Sequence, residues 1–390
     1  MPEIKKIAIA TNQMVMGGIE KSLIELCRVL VQQGHDVTLF LNALGGELFD
    51  EIPKEVKIVH IFQGYTDFKS IFVNALYTFR YKAAISALKA CLINKFHGDP
   101  VDGWNATIGY LENQTEFYDY AFAYGAPVSF SLVFTAKKIR AKKKYAWIHN
   151  NVKEISLDIT KYKCLFGLFN KIICVSQYTK KALLEKIPEL KPNVTVFYNI
   201  IDSERLLLLS DNCIHAFHKD YYTILTVGRL SEEKGQDIIP LISRSLLDLG
   251  YRFKWYCVGD GELHEFLTQE INYLGLSDTV FLLGSMKNPY PFFRNADLYV
   301  QPSRHEGFGI TLAEAKLFHL PIIATNFDGA SEQIVDGKTG LIVPFDKTAM
   351  LNAIIYLLKN PRIAQEFSEN LKHDKKSCTS KIENLLEEDN

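Results

Sequence analysis

No C-x-x-C pair occurs in this 390-residue chain, and its seven cysteines (Cys27, Cys91, Cys164, Cys174, Cys213, Cys257, Cys378) are odd in number and scattered. Neither a zinc ribbon nor a disulfide framework is indicated. Several of them sit in apolar runs, where Cys acts as a small hydrophobe, and a reducing cytosol fits best. No uninterrupted apolar stretch approaches the ~18 residues of a membrane-spanning helix. The opening MPEIKKIAIA lacks the apolar core of a signal peptide, so a cytoplasmic location is expected. Surplus charge is also missing: 44 Lys and Arg face 45 Asp and Glu, a net charge of -1, which excludes a whole-chain polycation. With 47% hydrophobic, 12% aromatic and 23% charged residues, disordered, collagen-like and coiled-coil readings are out.

The balance hides an asymmetry. Residues 1–200 hold 25 basic and 18 acidic side chains, and residues 201–390 hold 19 and 27, so the halves carry +7 and -8. A split of that size points to an acidic partner for the first half. Ile4–Thr11 reads as a buried strand, Gly17-Gly18 as a turn, 19–33 as a helix closed by Gly34, and Asp36–Leu41 as the next strand. Strand, glycine turn, helix, strand is the seed of a parallel sheet. Further strands are predicted at Val56–Ile61, Tyr120–Tyr124, Lys144–His149, Lys171–Val175 and Val194–Phe197. The pattern restarts with strands at Tyr222–Val227, Arg252–Val258, Val280–Leu283, Leu298–Gln301 and Pro321–Thr325, separated by helical stretches such as 235–249. Two doubly wound α/β domains are therefore predicted, 1–199 and 200–365, followed by a helical tail over 366–390 that can cross back to the first domain.

The most informative stretch is QPSRHEGFGITLAEAKLFHLPIIATN, residues 301–326. A strand ends near Gln301, a loop carries Glu306, Gly307 and Gly309, and a helix is predicted to start near Thr311 with Glu314 in its first turn. Glycines let the backbone approach a ligand closely. The amides of Gly309, Ile310 and Thr311 then lie at the positive end of a helix, where a diphosphate is the natural guest. Carboxylates such as Glu306 and Glu314 suit sugar and ribose hydroxyls. Taken alone, the Gly259–Gly261 loop reads as an ordinary tight turn, and Glu314 as an acid favoured by the helix dipole.

The 306–314 block resembles the E-x7-E signature of the family 4 glycosyltransferases, retaining enzymes of the GT-B fold. Val227-Gly228-Arg229-Leu230 with Lys234-Gly235 is similar to that family's G-R-L-x-x-x-K-G motif, and Cys257-Val258-Gly259-Asp260-Gly261 to its V-G-x-G loop. Asn326–Gly329, Glu332–Gly340 and Gly17-Gly18 extend the likeness over nearly the whole chain, and Tyr118–Tyr124 with Ala141–Asn150, ending Trp147-Ile148-His149-Asn150, resembles bacterial capsule and surface-polysaccharide members.

The resemblance implies two Rossmann-like domains facing across a cleft, and a hexose moved from a nucleotide-diphosphate sugar, most simply a UDP-sugar, to a glycan acceptor with retention. Arg229 and Lys234 would hold the diphosphate and offset charge on the leaving phosphate. That role removes the need for a metal or any other cofactor, and no D-x-D triplet occurs in the chain. Glu306 would lie near the sugar ring with the amides of Phe308 and Gly309, and Glu314 on the ribose. Ser285–Met286 would flank the base. Gly228, Gly259, Gly261, Gly307, Ile310 and Thr311 would complete the donor site, with His305, Phe308 and Ile310 tuning the choice of sugar. Gly17, Gly18 and His149 would act from the first domain. The family often has an acid two residues after this histidine; Asn151 stands there, which weakens a general-base role.

The basic cluster Lys137, Lys138, Arg140, Lys142, Lys143 and Lys144, with the aromatic and basic segment 65–97 (Tyr65, Phe68, Phe72, Tyr77, Phe79 and Tyr81 among Lys69, Arg80, Lys82, Lys89 and Lys95), suggests peripheral contact with an anionic membrane and a lipid-linked acceptor. Solvated faces account for the same residues equally well. A nucleic-acid partner is not expected, because the basic run belongs to no recognised binding fold. The competing functions are a non-catalytic GT-B partner subunit and a two-domain sugar-nucleotide epimerase; the paired acids and the Arg/Lys pair count against both.

Overall fold

The computed structural model describes residues 3–62, 72–73, 76–77, 81–96, 100–109, 111, 113–149, 152, 158–211, 220–327, 329–374 and 381–387. The chain divides into two units, residues 1–200 with 380–390, and residues 201–379.

The first unit is built on strands β1 (Lys6–Thr11), β2 (Asp36–Leu41), β3 (Lys57–His60), β4 (Phe117–Ala126), β5 (Arg140–Ile148), β6 (Lys171–Cys174) and β7 (Val194–Val196). They lie parallel in the order β3-β2-β1-β4-β5-β6-β7. The second unit repeats the plan with β8 (Tyr222–Val227), β9 (Phe253–Val258), β10 (Val280–Leu282), β11 (Leu298–Gln301), β12 (Ile322–Thr325) and β13 (Leu341–Val343). Its parallel order is β10-β9-β8-β11-β12-β13.

The apolar strands follow from this topology, since a parallel sheet is covered on both faces. In β9, Phe253, Trp255 and Cys257 pack with Ile224 and Val300 on one face, while Tyr256 and Val258 pack with Leu225 and Tyr299 on the other. Two polar residues of these strands satisfy each other and the backbone: Trp255 Nε1 donates to Thr226 Oγ1 (3.0 Å), which donates to Val300 O (2.7 Å). In the first unit, the helix Gly18–Gln32 buries Leu23, Leu26, Cys27 and Leu30, the four-residue spacing of an amphipathic helix.

The structure corrects the predicted tail. A boundary at 365/366 falls inside the helix Pro361–Lys372, whose Phe367 and Leu371 are buried in the two cores of the second unit. Only the last helix, Ile382–Glu387, belongs to the first unit, where Tyr120 Oη donates to Leu386 O (2.8 Å). No helix among the described residues is long and apolar enough to cross a membrane. Cys27, Cys164, Cys174 and Cys257 are free thiols.

Candidate active site

In the second sheet the chain leaves β8 toward β9 and β10, and leaves β11 toward β12 and β13 on the other side. The connections after Val227 and Gln301 therefore run to opposite sides of the sheet, which makes the carboxyl ends of β8 and β11 the switch point at whose crevice doubly wound sheets take ligands. The sequence blocks 228–237 and 301–314 are these two loops.

From β8 the chain passes through Gly228, where an added Cβ would make ordinary contact with Gln236 Nε2 at 3.7 Å and clash with nothing. Arg229 is exposed and makes no ion pair with a described residue, while its carbonyl accepts from Gln236 Nε2 (2.8 Å). The turn Glu232–Lys234 ends at Gly235, which adopts a left-handed φ of 70°. A Cβ there would lie 1.9 Å from Pro302 O, so only glycine lets the two loops meet backbone to backbone. That approach delivers Lys234 Nζ to Glu306 Oε1 at 2.6 Å, with side chains 24% and 11% exposed. Gln301 Nε2 (3.0 Å) and Ser303 Oγ (3.4 Å) donate to the same carboxylate oxygen. The two groups that the sequence assigns to different parts of a donor are thus joined here as an ion pair.

Gly309, at a left-handed φ of 82°, opens the helix Ile310–Leu317. The buried Gln333 donates through Nε2 to the carbonyls of Phe308 and Gly309. Because C=O and N–H point oppositely across a trans peptide, this aims the amides of Gly309 and Ile310 away from Gln333. The Thr311 hydroxyl donates to Gln301 Oε1 (3.4 Å), which leaves Thr311 its amide as donor and its hydroxyl oxygen as acceptor. Glu314 departs from expectation. The helix starts at Ile310, which places Glu314 in its second turn, 3% exposed, accepting from Tyr290 Oη at 3.1 Å. A first-turn dipole role is therefore excluded.

Gly259 and Gly261 have a packing reason to be glycine. Cβ atoms there would lie 1.9 Å from Gly228 O and 2.4 Å from Leu230 O. The loops after β8, β9 and β10 stack through Leu230 N–H to Asp260 O (3.1 Å) and Gly259 N–H to Gly284 O (2.9 Å). Met286, half-buried, packs against the core around Tyr290 and Phe293, beside exposed Ser285. Gly307 and Ile310 are also half-buried, His305 is exposed and Phe308 is buried.

In the first unit, Gly17 in extended conformation precedes the helix that begins at Gly18. Ser22 Oγ lies 2.7 Å from Tyr124 Oη and donates to Asn199 Oδ1 (2.8 Å), a buried network that locks this helix to β4. His149 follows β5, 6% exposed, with its ring centroid 4.3 Å from that of Tyr124. Burial pushes its imidazole down to about 3, so it is neutral at physiological pH. Its buried Nε2 has no hydrogen-bond partner among the described residues. Asn150 and Asn151 lie outside the described residues.

Much of the basic run is engaged within the unit. Lys138 Nζ donates to Leu111 O (2.6 Å) and Lys144 Nζ to Ala136 O (2.8 Å), Lys142 pairs with Asp119 (2.6 Å), and Lys137 donates to Asn105 (2.7 Å). Strand alternation sends Lys143 to the opposite face from Lys142 and Lys144. Tyr77 and Tyr81 are exposed, whereas Tyr65, Phe68, Lys69, Phe79 and Arg80 lie outside the described residues. Among the described residues, no group of three or more His, Cys, Asp or Glu side chains is placed to hold an ion.

Two family models match, Glycosyltransferase Family 4 over residues 16–205 and Glycosyl transferases group 1 over residues 212–374. The chain is a family 4 glycosyltransferase. This glycosyltransferase is 29% identical over 200 residues to an uncharacterized glycosyltransferase of Methanocaldococcus jannaschii, covering 48% of this chain and 49% of that one. Over 181 residues it is 29% identical to the capsular polysaccharide biosynthesis glycosyltransferase CapM of Staphylococcus aureus, 44% and 47% of the two chains. It thus spans about half the length of the curated relatives it matches. Anabaena HepE, solved with UDP and glucose, superposes with a TM-score of 0.69 at 19% identity, over 98% of each chain, which shows the GT-B fold.

Sequence reasoning missed the contacts of Gln301, Tyr290 and Gln333. Each reads locally as a strand-end amide or a helix residue, and only the fold turns it toward the site.

Proposed function

We propose that the protein transfers a hexose from a nucleotide-diphosphate sugar, UDP-linked in the simplest case, to a glycan acceptor of bacterial surface-polysaccharide synthesis, with retention and without a metal ion. The Lys234–Glu306 pair at the carboxyl ends of β8 and β11 carries this reading. In this reading Lys234 and exposed Arg229 face the diphosphate, as do the amides of Gly309 and Ile310. As the sugar–phosphate bond breaks, negative charge grows on the leaving phosphate. Two fixed cations and aimed amides stabilise that charge more than they stabilise the bound donor. Glu306 takes the sugar hydroxyls and buried Glu314 the ribose. His149 acts from the first unit as a neutral acceptor through Nε2, with Gly17 and Gly18 also serving the donor. In front-face transfer the acceptor hydroxyl passes its proton to the departing phosphate oxygen, so no protein nucleophile is required. Relatives whose names specify capsular polysaccharide or lipopolysaccharide core biosynthesis support the choice of acceptor class.

The test screens UDP-, GDP- and ADP-sugars for thermal stabilisation, then measures transfer with EDTA present and reads the product anomer by NMR. A ligand at 100-fold its dissociation constant adds about 2.7 kcal/mol. An inverted product removes the retaining mechanism, and activity lost to EDTA but restored by a divalent ion removes metal independence. Absence of stabilisation by every nucleotide sugar removes the donor assignment.

A further inference from the structure

Two ion pairs join the same two loops. Besides Lys234–Glu306, the Arg304 guanidinium forks onto Asp237, Nη1 to Oδ1 at 2.6 Å and Nη2 to Oδ2 at 2.7 Å. Nη1 also donates to Glu232 O (2.6 Å), and the guanidinium lies 4.1 Å from the ring centroid of Phe345. The backbone closes the same seam, since the amides of Arg304 (2.8 Å) and His305 (3.2 Å) both donate to Glu233 O. Arg304 stands two residues before Glu306, and Asp237 three after Lys234.

The pairs differ in what a substrate does to them. A diphosphate arriving beside Lys234 offers it a second anion and loosens its hold on Glu306. Arg304 and Asp237 are three-quarters buried, both Nη atoms and both carboxylate oxygens are engaged, and the fork is a geometry that a single ammonium does not reproduce. We infer that Arg304 and Asp237 are positioning residues: a permanent clamp that keeps the 232–237 turn in register with the 301–306 loop while the Lys234–Glu306 pair opens to admit the donor diphosphate. This rests on the function proposed above for its ligand, but not for its geometry. The clamp acts through Lys234, so its loss misplaces the cation without removing it.

Asp237→Asn keeps shape and removes charge; Arg304→Lys keeps charge and removes the fork. Hydrogen exchange reads the clamp with no nucleotide present. In both variants the Arg304 and His305 amides are expected to exchange at least tenfold faster, while those of β8 and β11 keep their rates. Unchanged protection at Arg304 and His305 overturns the proposal. The second arm is UDP calorimetry in a double-mutant cycle with Lys234→Ala. Asp237→Asn is expected to weaken UDP about tenfold in the presence of Lys234 and little in its absence, and equal losses in both backgrounds overturn action through Lys234. Wild-type protein that binds no UDP, GDP or ADP counts against the proposed function alone, and the exchange result then decides the clamp.

Discussion

Acidification should destabilise the first unit through His149, by an amount that follows from its burial. The imidazole falls from an ordinary 6.5 to about 3 in the fold, with desolvation as the cause. The unfolded chain therefore takes up the proton first. Stability is fully present above about pH 7.5 and is lost as pH drops through 6.5 toward 3. At pH 5.5, one unit below the unfolded value, the loss is about 1.4 kcal/mol, from RT ln(1 + 10). For a unit of this size that lowers the melting temperature by roughly 3–6 °C. The assay compares melting of wild type and His149→Phe at pH 7.5 and 5.5, read by tryptophan fluorescence. His35, also lowered by burial, contributes to both proteins alike, so the difference isolates His149. The variant should melt with a shallower dependence on pH. An identical dependence in both would show that His149 is solvated or already partnered, and would remove the neutral, acceptor-bearing imidazole from the proposed mechanism.

Gly235→Ala should cost at least about 2 kcal/mol in urea unfolding of the second unit, because the left-handed backbone alone penalises a Cβ by ~1–2 kcal/mol and Pro302 O stands in its way. Gln333→Leu removes the buried amide that donates to the carbonyls of Phe308 and Gly309; a stability loss of about 1–3 kcal/mol is expected, with weaker nucleotide binding in calorimetry. Glu314→Gln should keep its bond from Tyr290 and so its melting temperature, while transfer falls roughly tenfold, about 1.4 kcal/mol, mainly through KM. A melting temperature that drops with activity would make Glu314 structural.

The strands of both units are readable from their apolar runs. The two exceptions have local reasons. β13 is three residues between Gly340 and Pro344, too short to show a period, and the start of β5 is masked by the lysines of 140–144. The need for glycine at 235, 259 and 261 is likewise legible, because a Cβ there would strike the backbone of a neighbouring loop, whereas the ligand roles of Arg229, Lys234, Glu306 and Glu314 belong to the proposal above.

Pairing was not legible. Lys234 and Glu306 are 72 residues apart, and Arg304 and Asp237 are 67 apart. Nothing local marks Gln333 as the residue that turns the amides of Gly309 and Ile310 outward. The run of lysines at 137–144 carries no sign in one dimension of its partners in three, the carbonyls that hold Lys138 and Lys144 and the carboxylate of Asp119 that holds Lys142. Sequence determined which chemical groups stand at the ends of the strands, since local backbone geometry and burial select them. Tertiary structure decided which of those groups meet, because the order of strands in a parallel sheet, and with it the crevice between β8 and β11, is set by packing between segments distant along the chain.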